Sequence, residues 1–198
     1  MSSDKLSMSA TGTRQGSAEI EKLIEQMRNS KTPEAALKLL HRSVQLRPND
    51  QGLRLMLACT LHEQGKAGEA EQAYAHCLRA NPKNLRALIN LGSLQISGGQ
   101  PAAGMKALNG ALYLDPGNEE ALAQKARGYG IMGKPEDALK ILDDLAKKYP
   151  TDPKVMKGQA LCHIEIGHKT KAAGILVRAA ELAPDDQSIK NTLKKVTS

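Results

Sequence analysis

Five prolines stand at one interval along this chain: Pro48, Pro82, Pro116, Pro150 and Pro184, each 34 residues after the one before. Proline ends a helix or forbids one from continuing, so evenly spaced prolines divide the chain into pieces of one length. Residue types recur between them. Eight places before each proline stand Leu40, Tyr74, Leu108, Leu142 and Leu176, and twelve places before stand Ala36, Ala70, Gly104, Ala138 and Ala172. Twenty-four before stand Ile24, Ala58, Gly92, Ala126 and Ala160. Ile24 breaks the small-residue rule in the first piece, where no preceding neighbour has to be fitted. Such a register describes units that bury their apolar faces against one another in an elongated array.

Within each unit the apolar residues follow helical spacing. In the first, 17–50, Ile20, Leu23, Ile24 and Met27 predict one amphipathic helix, and Ala36, Leu37, Leu40 and Val44 predict a second. Thr32 and Pro33 make an N-cap and first-turn pair for that second helix. Units 51–84, 85–118, 119–152 and 153–186 repeat the plan, with Gly65, Gly99, Gly133 and Gly167 at the turn between helices. A helix closed by positive φ needs glycine there, and the first unit, with Lys31 at that place, needs another closure. The fold class expected is therefore all-α. Residues 1–16 read as a disordered tail, and 187–198 as a capping helix with Ile189, Leu193 and Val196 on its apolar stripe. Short side chains at the paired small positions predict close helix approach at Ala58 with Ala70, Gly92 with Gly104, and Ala126 with Ala138.

The chain has no Phe or Trp and only four Tyr, so its core is built from Leu, Ala, Ile and Met. It carries no apolar run of membrane-spanning length and no signal-peptide pattern. Cys59, Cys77 and Cys162 have no metal or disulfide spacing and suit a reducing, cytoplasmic setting. The net charge of +7 is interspersed with acid and does not point to nucleic acid. His41, His62, His76, His163 and His168 form no recurring constellation, and Ser97-Gly-Gly-Gln lacks the strand and lysine of a phosphate loop. The expectation is no catalytic site, no metal and no cofactor.

The period of 34 and its helix-turn-helix plan resemble the tetratricopeptide repeat. The matches are Leu88, Leu91-Gly92, Gly104, Leu108 and Pro116; Leu57-Ala58, Ala70, Tyr74 and Pro82; and Tyr129, Ala138, Leu142 and Pro150. The leading aromatic of that family is missing throughout; Arg54 holds its place in one unit, and Gln95 and His163 stand where Tyr129 does. The resemblance implies a right-handed superhelix, a TPR-like α-solenoid, whose first helices line a concave, partner-binding face. By repeat offset that face takes Leu55, Met56 and Cys59, then Arg86, Ile89, Asn90, Ser93 and Ile96, then Ala123, Gln124 and Arg127, then Lys154 and Lys157. His62, Glu120, Ile131 and Leu161 fall on it too.

Relatives that clamp a C-terminal carboxylate do so with a Lys and an Asn, then an Asn, then a Lys and an Arg. Only Asn90 matches; Leu55, Cys59, Glu120 and Gln124 hold the other tested places, so carboxylate capture is not expected. The function implied is a non-catalytic adaptor or scaffold that holds a peptide or helix of a partner protein. An accessory subunit of an enzyme on another chain and a self-assembling homo-oligomer are the alternatives.

Overall fold

The computed structural model describes residues 18–30 and 32–197. The tail expected over 1–16 and the turn residue Lys31 lie outside them. The described residues form eleven helices and no strand. They are α1 (18–28), α2 (Pro33–Leu46), α3 (Gln51–Glu63), α4 (Ala67–Ala80), α5 (Leu85–Ser97), α6 (Pro101–Leu114), α7 (Glu119–Ile131), α8 (Pro135–Lys148), α9 (Pro153–Glu165), α10 (Lys169–Leu182) and α11 (Gln187–Thr197). The starts of α2, α4, α6, α8 and α10 fall 34 residues apart, as do those of α3, α5, α7, α9 and α11.

Local chemistry explains the boundaries. Gly65, Gly99, Gly133 and Gly167 have φ of 72°, 79°, 67° and 91°, a region that side chains with a Cβ disfavour. The residue after each donates its amide five places back: Lys66 to Leu61, Gln100 to Gln95, Lys134 to Tyr129 and His168 to His163, at 2.7–2.9 Å. These bonds satisfy the last carbonyls of α3, α5, α7 and α9. Thr32 caps α2 as expected, its hydroxyl accepting from the Ala35 amide at 3.2 Å.

A second ladder does as much as the prolines. Asp50, Asn84, Asn118, Asp152 and Asp186, again 34 apart, cap the N-termini of α3, α5, α7, α9 and α11. Each side-chain oxygen accepts amide hydrogens that the first helical turn cannot use internally.

The chain forms two compact units, Met1–Asn90 and Leu91–Ser198, divided within α5. In the first, α2 packs on α3 and α3 on α4. Leu40, Ala58, Ala70 and Tyr74 are fully buried there. Burying such leucines contributes about 1.5–3 kcal/mol each before entropy is counted. The Tyr74 hydroxyl donates to Cys59 Sγ at 3.5 Å.

In the second unit each helix from α6 to α11 packs on the next, α6 on α7 and α10 on α11 included, except that α7 also touches α9. At the start of this unit α5 and α6 cross on Gly92 and Gly104. A Cβ on Gly104 would lie 2.6 Å from the Gly92 carbonyl oxygen. The small-residue contact read from the sequence is thus present, with backbone against backbone. Ala126, Ala138, Leu142 and Leu145 form one core cluster, and Ala160, Ala172, Leu176 and Ile189 form the next. Ile189 belongs to α11, with Leu193 and Val196 packed beside it, so this last helix covers the apolar side of α9 and α10. None of the described helices is long and apolar enough to cross a membrane.

Candidate functional site

A groove of about 700 Å³ lies in the second unit. Its walls are α7 and α9, and Leu142 and Leu145 of α8 lie beneath. From α7 it takes Glu120, Ala123, Arg127, Gly130 and Ile131. From α9 it takes Lys154, Lys157, Gly158, Leu161 and Glu165. Helical spacing of three and four residues puts each set on one face. Ile131 and Leu161 are 52% and 43% exposed. Gly130 and Gly158 contribute no side chain to the walls of the groove. A Cβ at Gly130 would meet nothing within 4 Å, and one at Gly158 would meet only the Leu142 side chain, at 3.1 Å.

Most carboxylates near this groove are already engaged. Lys148 Nζ donates to Glu119 at 2.5 Å and the Tyr149 hydroxyl donates to the same oxygen. Those bonds hold the Glu119 carboxyl below its usual range, Lys148 contributing most, and push the Lys148 ammonium up. Asp152 and Asp186 spend their oxygens on helix caps. Among the bases, Lys157 Nζ donates to Ser188 Oγ at 2.6 Å.

Arg127 donates to Gln124 Oε1 at 3.1 Å and to the Ser97 hydroxyl, and Ser93 donates to the same Gln124 oxygen at 3.2 Å. This network ties α5 to α7 within the second unit. In the first unit Asn90 Nδ2 donates to Cys59 Sγ at 3.3 Å.

Of the residues read as partner-facing, the structure brings Glu120, Ala123, Arg127, Ile131, Lys154, Lys157 and Leu161 into one groove. Ser93 and Gln124 are half-buried and bonded to each other beside it. Met56, 39% exposed, lines a separate recess of about 320 Å³ in the first unit with Ile20, Ile24 and Leu53. Leu55, Cys59 and Asn90 are half-buried there, and Arg86 is exposed.

Ile89 and Ile96 require a correction. They are 4% and 1% exposed, in the core and not on an accessible face. Ile96 fills the notch that two glycines leave. A Cβ on Gly104 would lie 2.6 Å from Ile96 Cγ1, and one on Gly128 would lie 2.9 Å from Ile96 Cδ1. Ile89 lies two turns earlier on the stripe of α5 that also carries Gly92. Residues missed by offset counting are the two glycines, Gly130 and Gly158, and the α8 leucines. Glycine at 158 where the preceding units carry Asn90 and Gln124 was the signal available.

No group of three His, Cys, Asp or Glu side chains among the described residues is placed to hold a metal ion. Burial, aided by Glu165, pushes the Cys162 thiol up to about 11, so it stays protonated and poorly nucleophilic at neutral pH. His163 is 4% exposed, and its Nδ1 has no hydrogen-bond partner among the described residues. Burial first, then Lys171 and His168, hold its pKa below the ordinary value, with Asp143 opposing.

A family model for the tetratricopeptide repeat matches residues 61–128 and again 131–196. The chain is 32% identical over 108 residues to cellulose synthase operon protein C of Pseudomonas fluorescens SBW25, covering 54% of this chain and 8% of that protein. It is 32% identical over 126 residues to the peroxisomal targeting signal receptor of Saccharomyces cerevisiae, covering 58% of this chain and 21% of the receptor. It therefore spans a minor part of either relative. A crystal structure of a tetratricopeptide repeat protein from Parabacteroides merdae ATCC 43184 superposes with a TM-score of 0.78 at 20% identity, covering 90% of this chain and 72% of that one.

Proposed function

The chain belongs to the tetratricopeptide repeat family, and from that premise we propose that it is a non-catalytic adaptor holding a peptide or helix of a partner protein between α7 and α9. The observation that carries this reading is the pair Ile131 and Leu161, both exposed and both lining the groove of about 700 Å³ between α7 and α9. Covering both removes apolar surface from water, at roughly 25 cal/mol per Å² before the costs of association. The yeast relative is by description a receptor for a targeting signal, which supports recognition of a protein segment as the kind of activity. Three free cysteines suit a reducing compartment.

The test is capture of partners from native extract by the parent chain and by the double variant Ile131→Asp, Leu161→Asp. Both side chains are exposed, so the variant should melt within a few degrees of the parent. Loss of specific partners from the folded variant supports the groove. Retention of every partner rejects it.

A further inference from the structure

The groove opens where a repeated polar rung is interrupted. Residues 59, 93 and 127 are equivalent by the 34-residue period, as are 90, 124 and 158. Cys59 is bonded by Asn90, 31 places on, and Ser93 by Gln124, also 31 places on. The next rung joins Arg127 to Gly158, which has no side chain to offer. Arg127 turns back to Gln124 and Ser97 with two of its N–H groups, and its remaining donors point to no protein acceptor among the described residues.

The surrounding charge sets what can complete the rung. Lys154 and Lys157 stand on the same face of α9 as Gly158, within one turn. Glu120 and Glu165, whose side chains have no hydrogen bond or ion pair among the described residues, are each seven residues along their helices from Arg127 and Gly158 respectively. That is about 10 Å of helix axis, near one Debye length in physiological salt. Arg127, Lys154 and Lys157 therefore stand at the rung or within one turn of it, and these two carboxylates stand about two turns from it along their own helices. Ile131 and Leu161 follow one turn beyond, about 5 Å along the axis.

Resting on the groove reading above, we propose that the partner segment supplies the missing rung. An Asp or Glu carboxylate lies over Gly158, accepts from Arg127 and is flanked by Lys154, while a large apolar side chain two to four residues away in the partner seats on Ile131 and Leu161. Guanidinium and carboxylate suit this role because two parallel N–H···O bonds fix orientation as well as charge.

The experiment selects phage-displayed random dodecapeptides on the intact chain and measures the enriched peptides by fluorescence polarisation. The expected peptides share an Asp or Glu two to four residues from Leu, Ile, Met or an aromatic. Replacing that acid by its amide should weaken binding at least tenfold, as should Arg127→Ala. Gly158→Gln, which restores a carboxamide at the interrupted rung, should weaken binding similarly. Lys140→Ala, on α8 and paired with Asp137, should leave it unchanged. Thermal melts confirm that each variant is folded; Lys154→Glu, fully on the surface, repeats the charge test if Gly158→Gln is not. Peptides without an acid that respond to Leu161→Asp but not to Arg127→Ala overturn the carboxylate and leave the groove standing. No enrichment, or peptides indifferent to both substitutions, overturns the groove as well.

Discussion

Gly104→Ala tests whether α5 and α6 are held together by the absence of side chains. In an open helix this change stabilises, because alanine is favoured over glycine by about 1 kcal/mol. Here the new Cβ would meet the Gly92 carbonyl oxygen and Ile96 Cγ1, both at 2.6 Å. Carbon atoms in contact sit near 3.5–4.0 Å, so roughly 1 Å must be found. Ile96 can rotate only by leaving the notch it shares with Gly128, and the carbonyl moves only if the two helices part. Overpacking of this kind costs about 1–3 kcal/mol. Because one neighbour is backbone we take the upper end, and subtracting the propensity gain leaves about 2 kcal/mol of destabilisation.

For a chain of this length that lowers Tm by about 4–8 °C. Gly174→Ala is the control. It lies inside α10, a Cβ there would meet nothing within 4 Å, and its φ is not positive. The control should gain about 0.5–1 kcal/mol and rise about 1–4 °C. Far-UV circular dichroism melts, with urea titration to check that the m-value is unchanged, read both variants. The reasoning is refuted if Gly104→Ala melts at or above the parent temperature while Gly174→Ala rises as expected.

Three further outcomes follow from the same geometry. Asn118→Ala removes the oxygen that accepts from the Ala121 amide at 3.0 Å, and should cost about 1 kcal/mol in urea denaturation, whereas Pro116→Ala, one member of the proline ladder, should cost less because Asp115 already ends α6 in the folded chain. Stability should fall with acid through His163: its folded pKa lies below its unfolded value near 6.5, so the unfolded chain takes up the proton first. The contribution is intact above about pH 6.5 and is lost as pH drops toward the folded pKa; His163→Gln, the residue type at 95, should flatten that part of the urea-stability profile. Alkylation of native protein near neutral pH should reach half-buried Cys59 first and Cys162 only at the rate of unfolding, read by peptide mass spectrometry.

The helices were legible because their ends are local. A proline blocks continuation, a glycine accepts positive φ, and an Asp or Asn caps the next turn, each within a few residues of the boundary it makes. Those signals, repeated every 34 residues, place all the helices from α2 to α11 without reference to what packs on what. The Asx ladder, Asp50, Asn84, Asn118, Asp152 and Asp186, is as local a signal as the prolines.

The groove was legible in part. Counting offsets assigned Ala123, Arg127, Lys154 and Lys157 to one face, and they share a groove. The same counting put Ile89 and Ile96 on the open face, and there it failed. An offset states which direction a Cβ leaves its own helix; it does not state how much room the neighbouring helices leave. For Ile96 that room is set by Gly104 and Gly128, eight and thirty-two residues away, on two other helices. Sequence alone determined the period, the helix ends and the chemistry of each face. Which isoleucine is core was decided only when the helices packed, because volume is a property of all the side chains that meet at a point.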